Sequence, residues 1–492
     1  MPPKLRIAVL LILFMAGTYA QAKNWSLTEC IEYAHQHNLQ IKRQQLQLEV
    51  SKNDLRQSKL DLLPDANAGA SQNFIYGRSI DPFTNDFITE NTISNDFYGR
   101  SSVTLFEGFR NYNRIKRNEY DLKASVQNIE KTKNDISLDI ASAYLQILFN
   151  QELYEVARQQ LSIIEMQAER TQKLVNSGNL AQGELLEIKA QIASEKLNVT
   201  QSKNQLDFSY ITLTQLLDLD SVGTFDIEKP DSLRLMQSSH LESFQNIYNQ
   251  SVKNLPRIRS LDLNVQVKEK ELEMAKGDLS PSLNLEGLYT TGYSNAREQV
   301  TDISLEEITV GSTPSGEPVT TEQYQLEYGN YPFGEQLKDN AYKRVSLSLR
   351  IPVFNGWSAQ NNLDNSKIAL LDAKYRLEQE KQILYKTIQQ AHADATAAYD
   401  KYESALEAVK SKEEAFSYTE QKFNVGLVNS MEYSIAKNNL IRANSDLLQA
   451  KYEYIFKIKI LDFYAGKPLM IQADRDINNN INNDTALPEN EM

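Results

Sequence analysis

Two long stretches without glycine or proline constrain the fold of this chain more than any other feature. The first lies between Gly108 and Gly178, the second lies between Gly356 and Gly426, and both pairs of glycines are 70 positions apart. A helix rises ~1.5 Å per residue, so each stretch can form one uninterrupted helix of roughly 100 Å. Glycine at the end of such a stretch is typical of a left-handed helix cap. The sequence therefore predicts two very long helices.

The two long stretches share one apolar pattern, displaced by 248 positions. Apolar residues at intervals of seven in the first stretch coincide with those of the second, namely Ile115, Leu122, Ile129, Ile136 and Ala143 with Leu363, Leu370, Leu377, Leu384 and Ala391. A strict period of seven is typical of helices packed as in a coiled coil. We therefore predict a mainly α fold with an internal tandem repeat, over residues 23–229 and 230–468.

Segments with a period of two lie between a shorter helical segment and each long stretch. Four strands are predicted, near 66–76, 97–106, 283–293 and 345–353, and the last has a wholly aliphatic face. Strands of ~10 residues can cross a membrane when tilted, but four cannot close a barrel, and open edges in lipid leave backbone groups unpaired. The chain must therefore oligomerise. The lipid-facing residues are predicted to be Val345, Leu347, Leu349 and Ile351.

Shorter segments complete the predicted organisation. Residues 26–62 are predicted as one helix, and the acidic segment 294–340 as a long loop. Residues 1–22, with Lys4, Arg6 and an apolar run, are interpreted as a signal peptide cleaved after Ala20 or Ala22. The Asn-rich residues 469–492 are predicted to be disordered.

Composition and residue patterns argue against several functional classes. The formal net charge of −13 disfavours nucleic-acid binding, because phosphate contacts need clustered Lys and Arg. A single cysteine, Cys30, excludes an internal disulfide. No Ser/His/Asp arrangement, phosphate-binding loop or zinc spacing is present, so we predict no enzyme, cofactor or metal site.

Five motifs in order, some duplicated between the halves, resemble the TolC-like outer-membrane efflux channel family. They are Trp25–Ile31 with Asn38-Leu39, the junctions Leu105–Phe109 and Ile351–Trp357, and the turns Val175–Leu180 and Phe423–Val428. The resemblance implies a homotrimer in the outer membrane, with a twelve-stranded β-barrel and a periplasmic α-barrel tunnel of long helices. It implies export through a tripartite efflux or type I secretion system, with a periplasmic adaptor (membrane fusion) protein and an inner-membrane pump as partners. Drug, metal and protein export share this design.

The resemblance also implies that the turns at Gly178 and Gly426 form the periplasmic gate and adaptor-docking tips. Glu184 and Glu432, at equivalent positions after the two glycines, match acidic gate residues of the family, although a carboxylate in a first helical turn is also favoured by the helix dipole. The family's basic partner is missing, because residues 427–429 are uncharged. The first half also lacks the proline that follows Asn38 in the family pattern. The alternative function is a periplasmic coiled-coil scaffold or adaptor, which would not need an aliphatic strand face.

Overall fold

The computed structural model describes residues 24–80, 85, 87–89, 91–219, 225–229, 242–467 and 469. The predicted signal peptide and nearly all of the predicted disordered tail lie outside these residues. None of the described helices is both long enough and apolar enough to cross a membrane.

Nine helices lie in the described part of the chain, and the two predicted long helices are among them. In chain order they are α1 Leu27–His37, α2 Leu39–Leu60, α3 Arg110–Asn176, α4 Gln182–Leu216, α5 Phe244–Asn254, α6 Pro256–Gly277, α7 Phe333–Asp339, α8 Ser358–Asn424 and α9 Ser430–Tyr464. Apart from α7, two series of four helices have lengths of 11, 22, 67 and 35 residues in the same order. The chain is therefore mainly helical.

The prediction of one helix over residues 26–62 is wrong, because the backbone leaves the helical conformation at Asn38. Asn38 has φ −61° and ψ 129°, which ends α1. Its Oδ1 atom accepts hydrogen bonds from the backbone N–H groups of Gln40 (2.8 Å) and Ile41 (3.4 Å). Side-chain oxygens of Asn commonly cap helices in this way. Asn38 thus separates α1 from α2, and Pro256 occupies the first position of α6 in the second series.

Ten strands are present among the described residues, and four of them form the main sheet. The strands are β1 Asn24–Trp25, β2 Asp65–Ile75, β3 Ser79–Ile80, β4 Phe87–Ile88, β5 Thr92–Glu107, β6 Asp226–Ile227, β7 Ser282–Ser294, β8 Glu298–Ser312, β9 Pro318–Asn330 and β10 Tyr342–Arg350. The main sheet is antiparallel, with strand order β10-β7-β5-β2. Its two edge strands are β10 and β2.

Residues 294–340 are not a loop, contrary to the sequence prediction. They contain the paired strands β8 and β9, followed by α7. The turn of this hairpin has Gly316 at φ +91°, and the Thr313 and Glu317 backbones are hydrogen-bonded at 2.8 Å. The acidic residues in this segment alternate with apolar ones, and a period of two is typical of a strand. The high charge of the segment obscured this pattern.

The chain divides into two compact units. The first comprises the described parts of Met1–Ser51, Asp121–Val265 and Asp372–Met492, and the second comprises Lys52–Tyr120 and Gln266–Leu371. Fully or nearly fully buried side chains of the first unit form two clusters, which include Ile41, Ile140, Tyr144, Ile147, Leu148, Leu213 and Leu217 in one and Ile247, Ile258, Ile388, Ala395 and Leu461 in the other. Several residues of the predicted apolar pattern are buried here, among them Ile136 and Leu384. The main sheet belongs to the second unit.

Candidate functional site

The turn after α3 has the geometry that the terminal glycine predicted. Gly178 has φ +78°, a conformation that side chains with a Cβ atom rarely adopt. Its N–H donates to the Val175 carbonyl, and the Asn179 N–H donates to the Leu174 carbonyl, both at 2.9 Å. These two bonds define a Schellman motif. The glycine is therefore required by the backbone conformation that ends the long helix.

The turn after α8 repeats this geometry. Gly426 also has φ +78°, with its N–H 3.0 Å from the Phe423 carbonyl and the Leu427 N–H 2.9 Å from the Lys422 carbonyl. A Cβ atom built on Gly178 or on Gly426 would meet no atom within 4 Å. Both positions therefore need glycine because the backbone is left-handed, and not because a side chain would clash with its surroundings.

Glu184 and Glu432 each lie in the first turn of the helix that follows the glycine. In α9, Asn429 is the N-cap, and its side chain accepts a hydrogen bond of 2.9 Å from the Glu432 N–H. In α4, the N-cap residue Ala181 provides no side-chain bond. The positive end of each helix dipole favours a carboxylate at these positions.

A cleft in the first unit brings Glu184 and Glu432 together. It has a volume of about 750 Å³ and is formed by the end of α3, the start of α4, the end of α8 and the start of α9. Glu420, Arg170 and Tyr433 also line it. The side chain of Glu184 is half-buried and that of Glu432 is exposed. Three carboxylates and one guanidinium therefore share this cleft, which is an arrangement suited to cations.

Two basic residues near these carboxylates were not predicted from the sequence, in which residues 427–429 carry no charge. One is Arg170, in the cleft itself. The other is Lys437 on α9, which is only 6% exposed, and its Nζ atom has no hydrogen-bond partner among the described residues. Nζ lies 5.9 Å from the centroid of the Tyr433 ring. A basic residue five positions after Glu432 was visible in the sequence, but its burial was not.

The environment of Lys437 perturbs its protonation. Burial lowers the pKa of the ammonium group, while the carboxylates of Glu420 on α8 and Glu195 on α4 act in the opposite direction. Burial also raises the pKa of the neighbouring Tyr433 hydroxyl, and Glu420 reinforces that shift. Rings of Phe423 and Phe416 pack on Tyr433, with centroids 4.7 and 5.3 Å away. Lys437 thus lies at the junction of α4, α8 and α9.

The strand register places aliphatic side chains of three strands on one face of the main sheet. Leu347 lies opposite Leu285, which in turn lies opposite Val103. Directly opposed residues share a face, as do alternate residues along a strand. Val345, Leu347 and Leu349 are therefore on this face, and they are 80, 62 and 62% exposed.

One predicted member of this face is outside the strand. Ile351 follows the last residue of β10, so the strand register does not assign it to a face, although it is 59% exposed. Pro352 follows it in the sequence and cannot donate a ladder hydrogen bond. The regular strand therefore ends before the proline.

The other face of the sheet is polar, as the alternation predicted. Glu286 forms ion pairs with Arg100 at 2.5 Å and with Arg344 at 3.5 Å, which links β5, β7 and β10. The Asn73 side chain donates to Asp96 at 3.0 Å on the same face. A sheet with one exposed apolar face and one hydrated face suits a boundary between lipid and water.

The described residues contain no cluster of three or more His, Cys, Asp or Glu side chains that could hold a metal ion. Cys30 is fully buried, and burial together with the Glu29 charge raises the pKa of its thiol to about 12. A thiol with such a pKa is a poor nucleophile.

Comparison with known proteins gives consistent matches over most of the chain. The family described as "Outer membrane efflux protein" matches residues 30–218 and 247–466. Outer membrane protein TolC of Vibrio cholerae is 22% identical over 445 residues, which cover 90% of this chain and 91% of TolC. The TolC protein of Escherichia coli is 18% identical over 454 residues, covering 91% of this chain and 84% of its own length.

Solved structures show the same fold. CusC, whose structures are described in terms of folding and transmembrane channel formation, superposes with a TM-score of 0.72 at 15% identity, covering 90% of this chain and 92% of CusC. The outer membrane protein VceC of Vibrio cholerae gives a TM-score of 0.71 at 14% identity, covering 90% of this chain and 96% of VceC. Identities this low establish a common fold only.

Proposed function

This chain belongs to the outer membrane efflux protein family, and we propose that it works as a homotrimeric channel in the outer membrane. In this proposal the two series of helices are a tandem repeat, and the long helices of three copies form a periplasmic α-barrel tunnel. Substrates pass from the periplasm or from an inner-membrane pump to the exterior. Drug, metal and protein export all fit this design, with the choice of substrate made by the pump.

The observation that carries the proposal is the four-stranded antiparallel sheet. Its aliphatic face is exposed at Val345, Leu347 and Leu349, and its edge strands β2 and β10 each pair on one side only among the described strands. In lipid, each unpaired backbone group costs several kcal/mol. Three copies supply twelve strands, and pairing of β10 with β2 of the next copy removes every edge. The polar face with Arg100, Glu286 and Arg344 then lines the lumen.

The partners in this proposal follow from the two helical turns. The tips at Gly178 and Gly426 receive a periplasmic adaptor (membrane fusion) protein, which connects the channel to an inner-membrane pump. We propose no catalytic role, in keeping with relatives named as the outer membrane protein TolC. The scaffold alternative is disfavoured by the exposed aliphatic face, for which a soluble coiled coil has no use.

The same proposal includes a gate at the cleft that holds Glu184 and Glu432. Threefold symmetry brings six such carboxylates towards one opening. Like charges confined in a narrow space repel one another and attract cations, so the channel is cation-selective. Arg170, which lines the same cleft, takes the place of the family's basic residue in balancing this charge.

The experiment that tests the channel proposal combines cell fractionation, native mass and conductance. The full chain, expressed in a Gram-negative host, is expected in the outer-membrane fraction. Native mass spectrometry in detergent should give three copies, and the same sample should produce discrete conductance steps in a planar bilayer. Recovery of a stable monomer or dimer without conductance, or retention in the soluble periplasmic fraction, contradicts the proposal and favours the scaffold.

A further inference from the structure

The hairpin formed by β8 and β9 has two chemically different faces. Opposed residues of an antiparallel pair share a face, which groups Val300, Ile303 and Leu305 with Tyr328, Leu326 and Tyr324. We call these six residues the apolar hairpin face. Each is between 42 and 67% exposed. The opposite face carries Asp302, Ser304 and Glu306 against Glu327, Gln325 and Gln323.

No described part of its own chain covers the apolar hairpin face. Among the described strands, β8 and β9 form a separate two-stranded sheet. An isolated two-stranded hairpin is at best marginally stable in water, and contiguous exposed apolar patches mark interaction surfaces. The apolar face consists of these three pairs, and the next pair on the same face towards the turn, Glu307 with Glu322, is acidic.

The charge of the hairpin argues against two possible covers. Residues 298–330 contain seven Asp or Glu and no Lys or Arg. Packing three such hairpins against one another would concentrate negative charge, and an anionic membrane surface would repel each of them. A neighbouring surface that offers apolar side chains and a positive charge fits better.

Such a surface lies at the same end of the main sheet, next to the edge strand β2. The register pairs Ile75 with Thr92, and Ser94 with Ser294, so β2 and β7 both end there. Between β2 and β5, the side chains of Tyr76, of Ile80 in β3 and of Phe87 in β4 are 75, 51 and 67% exposed. We call these three residues the apolar loop face.

A positive charge accompanies the apolar loop face. The Arg78 guanidinium lies 5.0 Å from the centroid of the Phe87 ring. Arg78 is the only Lys or Arg in residues 76–91, which also contain three acidic residues. The exposure of the apolar loop face shows that the hairpin of its own chain does not cover it.

We propose that the apolar hairpin face of one copy packs against the apolar loop face of the next copy. This inference rests on the trimer of the proposed function, in which β10 pairs with β2 of the neighbouring copy. That pairing brings the hairpin, which precedes β10, beside the segment that follows β2 of the neighbour. Arg78 of the loop then meets the acidic charge of the hairpin. The three hairpin–loop pairs form a belt that ties the copies together beyond the sheet.

Site-specific photo-cross-linking tests this packing in the assembled protein. A benzophenone amino acid replaces Leu305 on the apolar hairpin face, and in a matched control it replaces the adjacent Glu306 on the opposite face. After irradiation of outer membranes, the probe at position 305 should give covalent oligomers on a denaturing gel. Mass spectrometry should map its attachment to residues 76–88 of a second copy. The probe at position 306 should give only background, and Phe87→Ser should reduce the oligomer yield from position 305 to near that level.

Native mass spectrometry of the same samples distinguishes failure of the hairpin–loop packing from failure of the proposed trimeric channel. A trimer whose position-305 probe attaches to lipid, to another protein or to another hairpin overturns this inference and leaves the channel proposal standing. A trimer with no adduct above the position-306 control also overturns it. Absence of a trimer in the wild-type protein contradicts both the channel proposal and this inference.

Discussion

At the scale of single residues, the carboxylates of Glu184 and Glu432 are the groups on which ion passage is expected to depend. Both line the cleft that Arg170 also enters. Glu432→Gln should weaken block by multivalent cations applied from the periplasmic side, and Glu184→Gln should have a similar or smaller effect. The double variant should lose most of the cation selectivity, because six negative charges per trimer are removed. Single-channel recording in planar bilayers measures both quantities.

The matched control for these variants is Glu187→Gln. Glu187 lies on the same helix as Glu184, is exposed and does not line the cleft. This change should leave selectivity and block unaltered. If the double Glu184→Gln and Glu432→Gln variant also keeps both at wild-type level, the two residues are ordinary first-turn acids, and the gate lies elsewhere.

The buried Lys437 is expected to make stability depend on pH. Its folded pKa is lowered by burial, so the unfolded chain binds more protons between the folded pKa and the ordinary lysine value of about 10.4. Stability attributable to this group therefore rises with pH across that interval. At pH values below that interval, a buried donor without a hydrogen-bond partner lowers the free energy of unfolding by roughly 1–3 kcal/mol.

Lys437→Met should therefore raise the thermal midpoint of unfolding near neutral pH. This gain should shrink as the pH approaches the pKa of free lysine. The exposed Lys410→Met on α8 serves as a control, for which no gain is expected. Thermal unfolding in detergent at several pH values, followed by circular dichroism, checks both. A loss of stability in Lys437→Met would show that the attraction of Glu420 and Glu195 outweighs the burial cost.

Asn38 shows how one side chain replaces a proline at a helix break. Its Oδ1 atom accepts from two N–H groups of α2. Asn38→Ala should lower stability by about 1 kcal/mol, the usual cost of losing an N-cap. Asn38→Asp keeps the acceptor and should retain most of the stability. Equal thermal midpoints for Asn38→Ala and the wild type would mean that packing alone determines where α1 ends and α2 begins.

At the scale of elements, the two faces of β10 allow a matched pair of substitutions. Leu347 is on the aliphatic face, and the adjacent Ser346 is opposite Glu286 on the polar face. Leu347→Arg should disrupt outer-membrane assembly, because arginine on a lipid face costs ~2–4 kcal/mol near the midplane. Ser346→Arg should assemble normally. Heat-modifiable mobility of the outer-membrane fraction on gels measures assembly. Normal assembly of both variants would contradict the assignment of the aliphatic face to lipid.

At the scale of the whole molecule, closure of the sheet through β10 and β2 of neighbouring copies is the central expectation. Ser346→Cys on β10 can be combined in turn with Asn67→Cys, Ser71→Cys or Asn73→Cys on β2, all on the polar face. Cys30 does not interfere, because it is fully buried. The cysteine pair that matches the register between β10 and β2 should give a covalent trimer under oxidation. Each single-cysteine variant should give none. A covalent product that ends at the dimer would contradict closure by three copies.

The sequence alone determined those elements whose signals are local. Absence of Gly and Pro, with an apolar period of seven, predicted both long helices, and the glycines at 178 and 426 predicted left-handed caps that the structure contains. Alternation predicted the four strands of the main sheet. These features could be read because helix propensity, capping and strand alternation depend on neighbours a few positions away.

Tertiary structure decided what depends on residues distant in sequence. The break at Asn38 and the hairpin within residues 294–340 had local signals, a side-chain cap and an alternation. The burial of Lys437 and the meeting of Glu184 with Arg170 and Glu432 in one cleft had none. Each depends on which elements pack together. A lysine on an amphipathic helix has the same local sequence whether it faces water or a third helix, and only the packing of α4, α8 and α9 removes its solvent.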